Sequence, residues 1–166
     1  MIKTAFLRVA AFVISSIFIL FAGVGSSEEY DVRDPENLKL NFSVISDSHI
    51  ESNNKTRYEV FAKALENVSK NKSGNDAVIF LGDNTMNGQF IESLIFHGTV
   101  RQLLKDEKIL PAVGNHDIGN GQGDYEKLQN RWYDFSEAFF GRDEGTPYYY
   151  EIIDGCFFIV LGTEAQ

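Results

Sequence analysis

Three short clusters of polar residues contain side chains of the types that can bind metal ions or transfer protons. They hold Asp47 with His49, then Asp83, then Asn115 with His116. A carboxylate beside an imidazole suits Fe, Zn or Mn, and one carboxylate can bridge two cations. The amide oxygen of Asn115 is a neutral ligand, whereas His116 could bind a metal, act as a general acid or face an oxyanion.

Each cluster also has a structural explanation. Asp47 could cap a turn beside a surface histidine, Asp83 between Gly82 and Asn84 suits an Asx-turn, and Asn115 with its neighbours could be a polar loop. The three clusters are more specific together, because each follows a short apolar run. This shared placement favours a reaction site over three unrelated turns.

The apolar pattern predicts the elements that position these clusters. It indicates strands at 40–45, 77–81 and 109–113, separated by helices at 55–70 and 90–105. Alternating strands and helices imply parallel pairing with right-handed crossovers, which is an α/β fold. In such sheets, functional groups collect beyond the carboxyl ends of the strands, so we expect the three clusters to meet there.

The C-terminal part of the sequence predicts a further helix and a hairpin. The helix is expected at 125–140, and strands at 148–153 and 156–161 flank Asp154-Gly155, a type I′ turn signal. The second strand is apolar at alternate and intervening positions, which predicts burial on both faces and a structural role for Cys156. Cys156 is the only cysteine, so an intrachain disulfide is excluded.

The N-terminus has the layout of a secretory signal peptide. Lys3 and Arg8 precede an apolar run at 9–25, and small and acidic residues follow it. We therefore expect a signal peptide at 1–27, a linker at 28–39 and a domain at 40–166, with the protein secreted or periplasmic. An uncleaved membrane anchor is the alternative.

Composition and motifs exclude several functions. The chain has 166 residues, 43% hydrophobic and 23% charged, which suits one globular domain. Its formal charge of −9 disfavours nucleic-acid binding, and a phosphorylated substrate would need local positive charge, which a metal could supply. Asp47 lacks the second aspartate of an aspartyl-phosphate mechanism, and neither a Gly-x-Ser-x-Gly elbow nor a P-loop is present.

The three clusters resemble the first three motifs of the calcineurin-like metallophosphoesterases. The matching segments are Asp47-Ser48-His49, Gly82-Asp83-Asn84 and Gly114-Asn115-His116-Asp117, and the likeness continues from about residue 40 to 163. The resemblance implies a β-sandwich flanked by helices, in four layers α/β/β/α, with a dinuclear metal centre at the strand ends. The two divalent or trivalent ions would be Fe, Mn, Zn or Mg.

The resemblance also implies a role for each residue of the site. Asp47 and His49 would bind the first metal, and Asp83 would bridge both metals. Asn115 would bind the second metal and contact the substrate. His116 would be catalytic and substrate-binding without being a ligand, either stabilising the transition state or protonating the leaving oxygen. The implied reaction is attack of a metal-held hydroxide on a phosphomonoester or phosphodiester.

Some features depart from the family pattern. The later histidine motifs, including Gly-His-x-His, are unmatched, and the chain has only three histidines. We read the third, His97, as structural or surface, and expect the chain to be the N-terminal portion of a longer domain. Met86 stands where some members carry an acid that orients the catalytic histidine, and Asp117 is an alternative orienting group. A degenerate metal-binding module without activity is the competing hypothesis.

Overall fold

A computed structural model describes residues 40–71, 74–142 and 145–162. The signal peptide or anchor predicted at 1–27 and the linker predicted at 28–39 lie outside these residues and stay predictions. In the part of the chain that is described, no helix has the length and apolar character needed to cross a bilayer.

The centre of the structure is a three-stranded parallel sheet. Its strands are β1 (Phe42–Ile45), β2 (Ala77–Phe80) and β3 (Lys108–Pro111), in the order β1-β2-β3. Both neighbouring pairs are parallel, which confirms the predicted pairing. The carboxyl ends of all three strands therefore lie at one edge of the sheet, and the three polar clusters follow at that edge.

Three helices connect and follow these strands: α1 (Lys55–Ser69), α2 (Phe90–Leu103) and α3 (Tyr125–Phe140). The side chain of Asn54 accepts a hydrogen bond from the backbone at the start of α1, and Asp124 does the same for α3. Gly141 ends α3 in the left-handed conformation, with φ of 71°. These local signals explain why α3 begins and ends at the predicted residues.

The hairpin consists of β4 (Tyr149–Ile153) and β5 (Cys156–Val160), paired antiparallel. Asp154 and Gly155 both have positive φ, 48° and 78°, as a type I′ turn requires, so the predicted hairpin is confirmed. The Tyr149 hydroxyl donates to the carbonyl oxygen of Pro111 at 3.0 Å. This bond joins the hairpin to the last strand of the parallel sheet.

The side chains of β2 alternate between two hydrophobic clusters. Val78 and Phe80 belong to the cluster formed with the helices, whereas Ala77 and Ile79 belong to the cluster formed with the hairpin. Such alternation is the period-two pattern of a strand buried on both faces. The helices therefore lie on one side of the parallel sheet and the hairpin lies on the other.

The prediction that β5 is covered on both faces is wrong for the described residues. Phe157 and Ile159 are 60% and 68% exposed, and they pair across the hairpin with Ile152 and Tyr150, which are also exposed. Cys156 is exposed too, so its predicted burial is wrong. The physical reason is that the hairpin contacts the parallel sheet through one face only.

His97 lies inside the helical core rather than at the surface. Its side chain is fully buried, and Nδ1 is 2.8 Å from the carbonyl oxygen of Ser93. The rings around it are Phe96, Trp132, Phe135, Phe139 and Phe140. Burial lowers the pKa of His97 from 6.5 to about 4, because the apolar surroundings disfavour the charged imidazolium. The structural reading of this residue is therefore confirmed.

This pKa predicts an acid-sensitive fold. The unfolded chain binds a proton at His97 below pH 6.5 and the folded chain only below about 4, so stability falls as the pH drops between these values. The full effect is about 3 kcal/mol in the free energy of unfolding. Urea unfolding of the wild type and of His97→Leu across this range would measure it. An equal decline in both proteins would contradict the assignment.

Candidate metal centre

The loops that follow β1 and β2 run side by side through backbone hydrogen bonds. The amide of Asp47 donates to the carbonyl of Gly82 at 3.2 Å, and the amide of His49 donates to that of Asp83 at 2.9 Å. A short parallel bridge between Ile50 and Thr85 continues the pairing. The first two polar clusters are thus aligned by the backbone, independently of their side chains.

The third cluster joins them through a close approach at Gly114. A Cβ on Gly114 would lie 2.2 Å from both the amide nitrogen and Oδ1 of Asp83, so only glycine fits at this position. The same carboxylate accepts a hydrogen bond from the amide of His116 at 3.1 Å. Asp83 is therefore held directly against the loop that carries His116.

Three of the predicted site residues meet at one point. His49, Asp83 and His116 each offer a ligand atom, and these atoms all lie within 4.8 Å of one another. The two imidazole rings meet edge to face, with centroids 4.6 Å apart. All three residues are half-buried, so a small ion or a substrate can reach them. The convergence expected from the sequence is present for these three side chains.

The other two predicted ligands, Asp47 and Asn115, lie in the same loops but are exposed. Oδ1 of Asp47 is 3.7 Å from Nε2 of His49, and its side chain is 65% exposed. The exposed Asn115 uses its amide to donate to Oδ1 of Asn120 at 2.7 Å. The ligand roles assigned to Asp47 and Asn115 stay predictions.

The backbone is strained where the sequence predicts ligands. Asp47, His49 and Asp83 have φ of 55°, 43° and 50°, in the left-handed region that costs side-chain-bearing residues about 1 kcal/mol or more. Such conformations persist where the surroundings hold them, and they cluster at functional sites. Three of them in two adjoining loops are evidence for a site, which neither an isolated Asx-turn nor a surface histidine explains.

His116 is oriented by a backbone carbonyl. Its Nδ1 is 2.7 Å from the carbonyl oxygen of Met86, so in the neutral ring Nδ1 carries the proton and donates it. This leaves Nε2 as the nitrogen that can meet a metal ion or a substrate. Some family members carry an acidic side chain at the position of Met86, which orients the catalytic histidine. Met86 has no acidic side chain, and its backbone carbonyl orients His116 instead.

Asp117 is not the residue that orients the His116 side chain. The side chain is buried, and its hydrogen bonds come from Asn84, Thr85 and Gly114 rather than from His116. Burial raises the pKa of Asp117 above its ordinary value, although these hydrogen bonds act in the opposite direction. Sequence reasoning missed this contact, which joins residues more than thirty positions apart.

The residues present fit a transition-metal ion. Two imidazoles and one carboxylate form a donor set suited to Zn, Fe or Mn. In addition, Nδ1 of His49 is buried and has no hydrogen-bond partner in the described part of the chain. A buried polar atom without a partner is costly, and a cation would relieve that cost if it were bound there. Among the predicted ligands, His49 and Asp83 are thus the residues best placed to bind a metal, and His116 lies within reach of the same point.

The close approach at Gly114 predicts a strong effect of one added methyl group. Gly114→Ala would displace Asp83, because the Cβ added at position 114 would overlap the carboxylate and backbone of Asp83. We expect Mn²⁺ affinity to fall at least about 10-fold, as when groups that orient metal ligands are lost. Gly98→Ala is the control, because its Cβ would meet only Phe139 at an ordinary 3.8 Å. Calorimetric titration that finds equal affinity in both variants would contradict this prediction.

The sequence is similar to a known protein family. A sequence model of the calcineurin-like phosphoesterase family matches residues 40–163, a range that contains every described strand and helix. A search of curated proteins finds no significant match. The family match covers most of the chain and includes all five predicted site residues, together with Met86 and Asp117. The chain therefore belongs to the calcineurin-like phosphoesterase family.

Proposed function

We propose that the protein is an exported, metal-dependent phosphoesterase that hydrolyses phosphomonoesters or phosphodiesters. The observation that carries the proposal is the meeting of His49, Asp83 and His116 at the carboxyl edge of a parallel sheet, in loops with strained backbone. Family membership supports the same reaction class. The formal net charge of −9 disfavours nucleic acids as substrates.

The side chains divide the work of the proposed reaction. Asp47, His49, Asp83 and Asn115 would hold the two proposed metal ions. Bound cations would supply Lewis acidity, neutralise the phosphate charge and lower the pKa of water. Nε2 of His116 would face the phosphate and, when the ring is the doubly protonated imidazolium, could donate a hydrogen bond to a developing charge or a proton to the leaving oxygen. The Met86 carbonyl would keep that nitrogen aimed at the substrate.

Two wider features belong to the same proposal. The helices, parallel sheet and hairpin would form part of the four-layer α/β/β/α sandwich that the family resemblance implies. The sequence at 1–27 supports export, either as a cleaved signal peptide to the periplasm or medium or as a membrane anchor. N-terminal sequencing of the protein recovered from fractionated cells would distinguish cleavage from anchoring.

The reaction is tested by hydrolysis of a chromogenic phosphate monoester and the matching diester. The full chain would be assayed after removal of metal and again with added Mn²⁺, Zn²⁺ or Fe²⁺. We expect release of the chromophore only with metal, and the ratio of the two rates would identify the preferred ester. Tight metal binding without hydrolysis of either ester would overturn the proposal.

One observation favours a second candidate, a metal-binding module without activity. His97 is buried in the helical core, so the chain contributes only two imidazoles, those of His49 and His116, to the site. A chain with fewer ligands could hold one ion and lack the second that a two-metal displacement uses. Measured metal content separates the candidates: two ions per chain support the enzyme, and one ion without turnover supports the module.

A further inference from the structure

The carboxylate of Asp117 joins the two loops that carry Asp83 and His116. It is 2% exposed and accepts five hydrogen bonds. Oδ1 accepts from the amide and hydroxyl of Thr85 at 2.7 and 2.9 Å. Oδ2 accepts from the amide of Gly114 at 2.9 Å and from the amide and side-chain nitrogens of Asn84 at 3.3 and 3.0 Å.

We propose that Asp117 is a positioning residue, whose carboxylate sets the distance between Asp83 and His116 and thereby shapes the metal and phosphate site. Asn84 follows Asp83 directly, and Gly114 is the residue whose close approach holds the Asp83 carboxylate. The proposal rests on the proposed function for its effect on turnover. The predicted effect of Asp117 on the geometry of the site does not depend on that function.

The donor pattern explains why an acid is required at this position. All but one of the partners are N–H groups that can only donate, and they approach both carboxylate oxygens. In either orientation of its side-chain amide, an asparagine at 117 would place its NH₂ group against N–H donors. Because the position is buried, water cannot replace the lost acceptor. The loops would then have to move apart.

This placement distinguishes Asp117 from an ordinary buried acid. Glu92 is equally buried and also accepts backbone hydrogen bonds, but those come from Asn87 and Gln89, which lie within the same stretch of chain. Glu92 therefore stabilises a helix start. The hydrogen bonds of Asp117 instead bridge two loops that are more than thirty residues apart.

NMR spectroscopy of the metal-free protein measures the geometry of the site directly. The full chain has three histidines, so the imidazole resonances of His49, His97 and His116 can be assigned by single substitutions. In Asp117→Asn we expect the His49 and His116 resonances to shift and that of His97 to stay. Mn²⁺ affinity should fall at least about 10-fold, as for other groups that orient metal ligands. Phosphate-ester turnover should fall in parallel.

Phe135→Leu is the matched control for a loss of stability. Phe135 is buried in the helical core and its ring centroid is 5.3 Å from that of His97. We expect this variant to shift the His97 resonance while leaving His49, His116 and Mn²⁺ affinity unchanged. Both variants are compared at a temperature where circular dichroism shows them fully folded.

Each result bears on the proposal. A folded Asp117→Asn with unmoved His49 and His116 resonances and wild-type Mn²⁺ affinity overturns it. If Asp117→Asn does not fold, Thr85→Val removes one of the five hydrogen bonds and should shift the same two resonances by less; unmoved resonances then overturn the proposal. Shifted resonances in a protein whose wild type hydrolyses no ester support the positioning role while removing the proposed function.

Discussion

Asp83→Asn is expected to abolish metal-dependent hydrolysis while leaving the fold intact. Asparagine has the same shape and tolerates the left-handed backbone at this position, where φ is 50°. Its amide oxygen can still accept the hydrogen bond from the His116 amide. What is lost is the negative charge that would hold the cations, so metal affinity should fall by more than the roughly 10- to 100-fold that outer-shell changes cost.

Asp154→Asn is the control that matches this change in chemistry and backbone. Asp154 also has a positive φ, 48°, but it lies in the exposed hairpin turn. We expect it to leave Mn²⁺ affinity, turnover and the urea midpoint close to the wild type. Calorimetry and the ester assay would be run on both variants. Wild-type metal affinity in Asp83→Asn would show that the Asp83 carboxylate does not bind the metal.

The sequence was sufficient to predict the elements that position the site. The apolar residues on one face predict α3 at Tyr125–Phe140, as observed, and the caps at Asp124 and Gly141 account for those bounds. The short apolar runs predicted β1, β2 and β3 to within a few residues, and alternation with helices predicted their parallel order. Because parallel strands end at one edge, the meeting of His49, Asp83 and His116 followed from topology alone.

Tertiary contacts could not be read in the same way. An apolar pattern shows that a strand can be buried, but it does not show which element covers each face. The pattern of β5 therefore predicts burial on both faces, although Phe157 and Ile159 are exposed. The same limit left His97 undecided between core and surface. Proximity in sequence indicates that Asp117 orients its neighbour His116, whereas its side chain accepts hydrogen bonds from Asn84 and Thr85 on another loop.

The glycines and the strained residues explain how the loops that carry the three clusters come so close together. Gly82 has φ of 99°, and a Cβ there would lie 2.9 Å from the amide of Gly114. The loops after β2 and β3 therefore touch through main chain, which brings Asp83 closer to the third cluster than side-chain packing would allow. The cost of this close contact and of the positive φ values at Asp47 and His49 must be offset by the rest of the fold.

His116→Ala is expected to separate catalysis from metal binding. General acid–base groups contribute about 10²- to 10⁴-fold, so turnover should fall by that factor if His116 faces the phosphate. Metal content should change little, because Asp47, His49, Asp83 and Asn115 would remain. The backbone hydrogen bond from residue 116 to Asp83 is unaffected by the side chain, so the loop should keep its place. Metal analysis and the ester assay on one preparation would give both values.

The structure also allows the opposite result, and His49→Ala provides the comparison. Since His116 lies within the same 4.8 Å group as His49 and Asp83, its Nε2 could be a ligand. If so, His116→Ala and His49→Ala should lose metal to a similar extent, and added Mn²⁺ should partly restore turnover in both. If His116 is catalytic, excess Mn²⁺ should restore turnover only in His49→Ala. The response to Mn²⁺ therefore assigns His116 either to the metal or to the substrate.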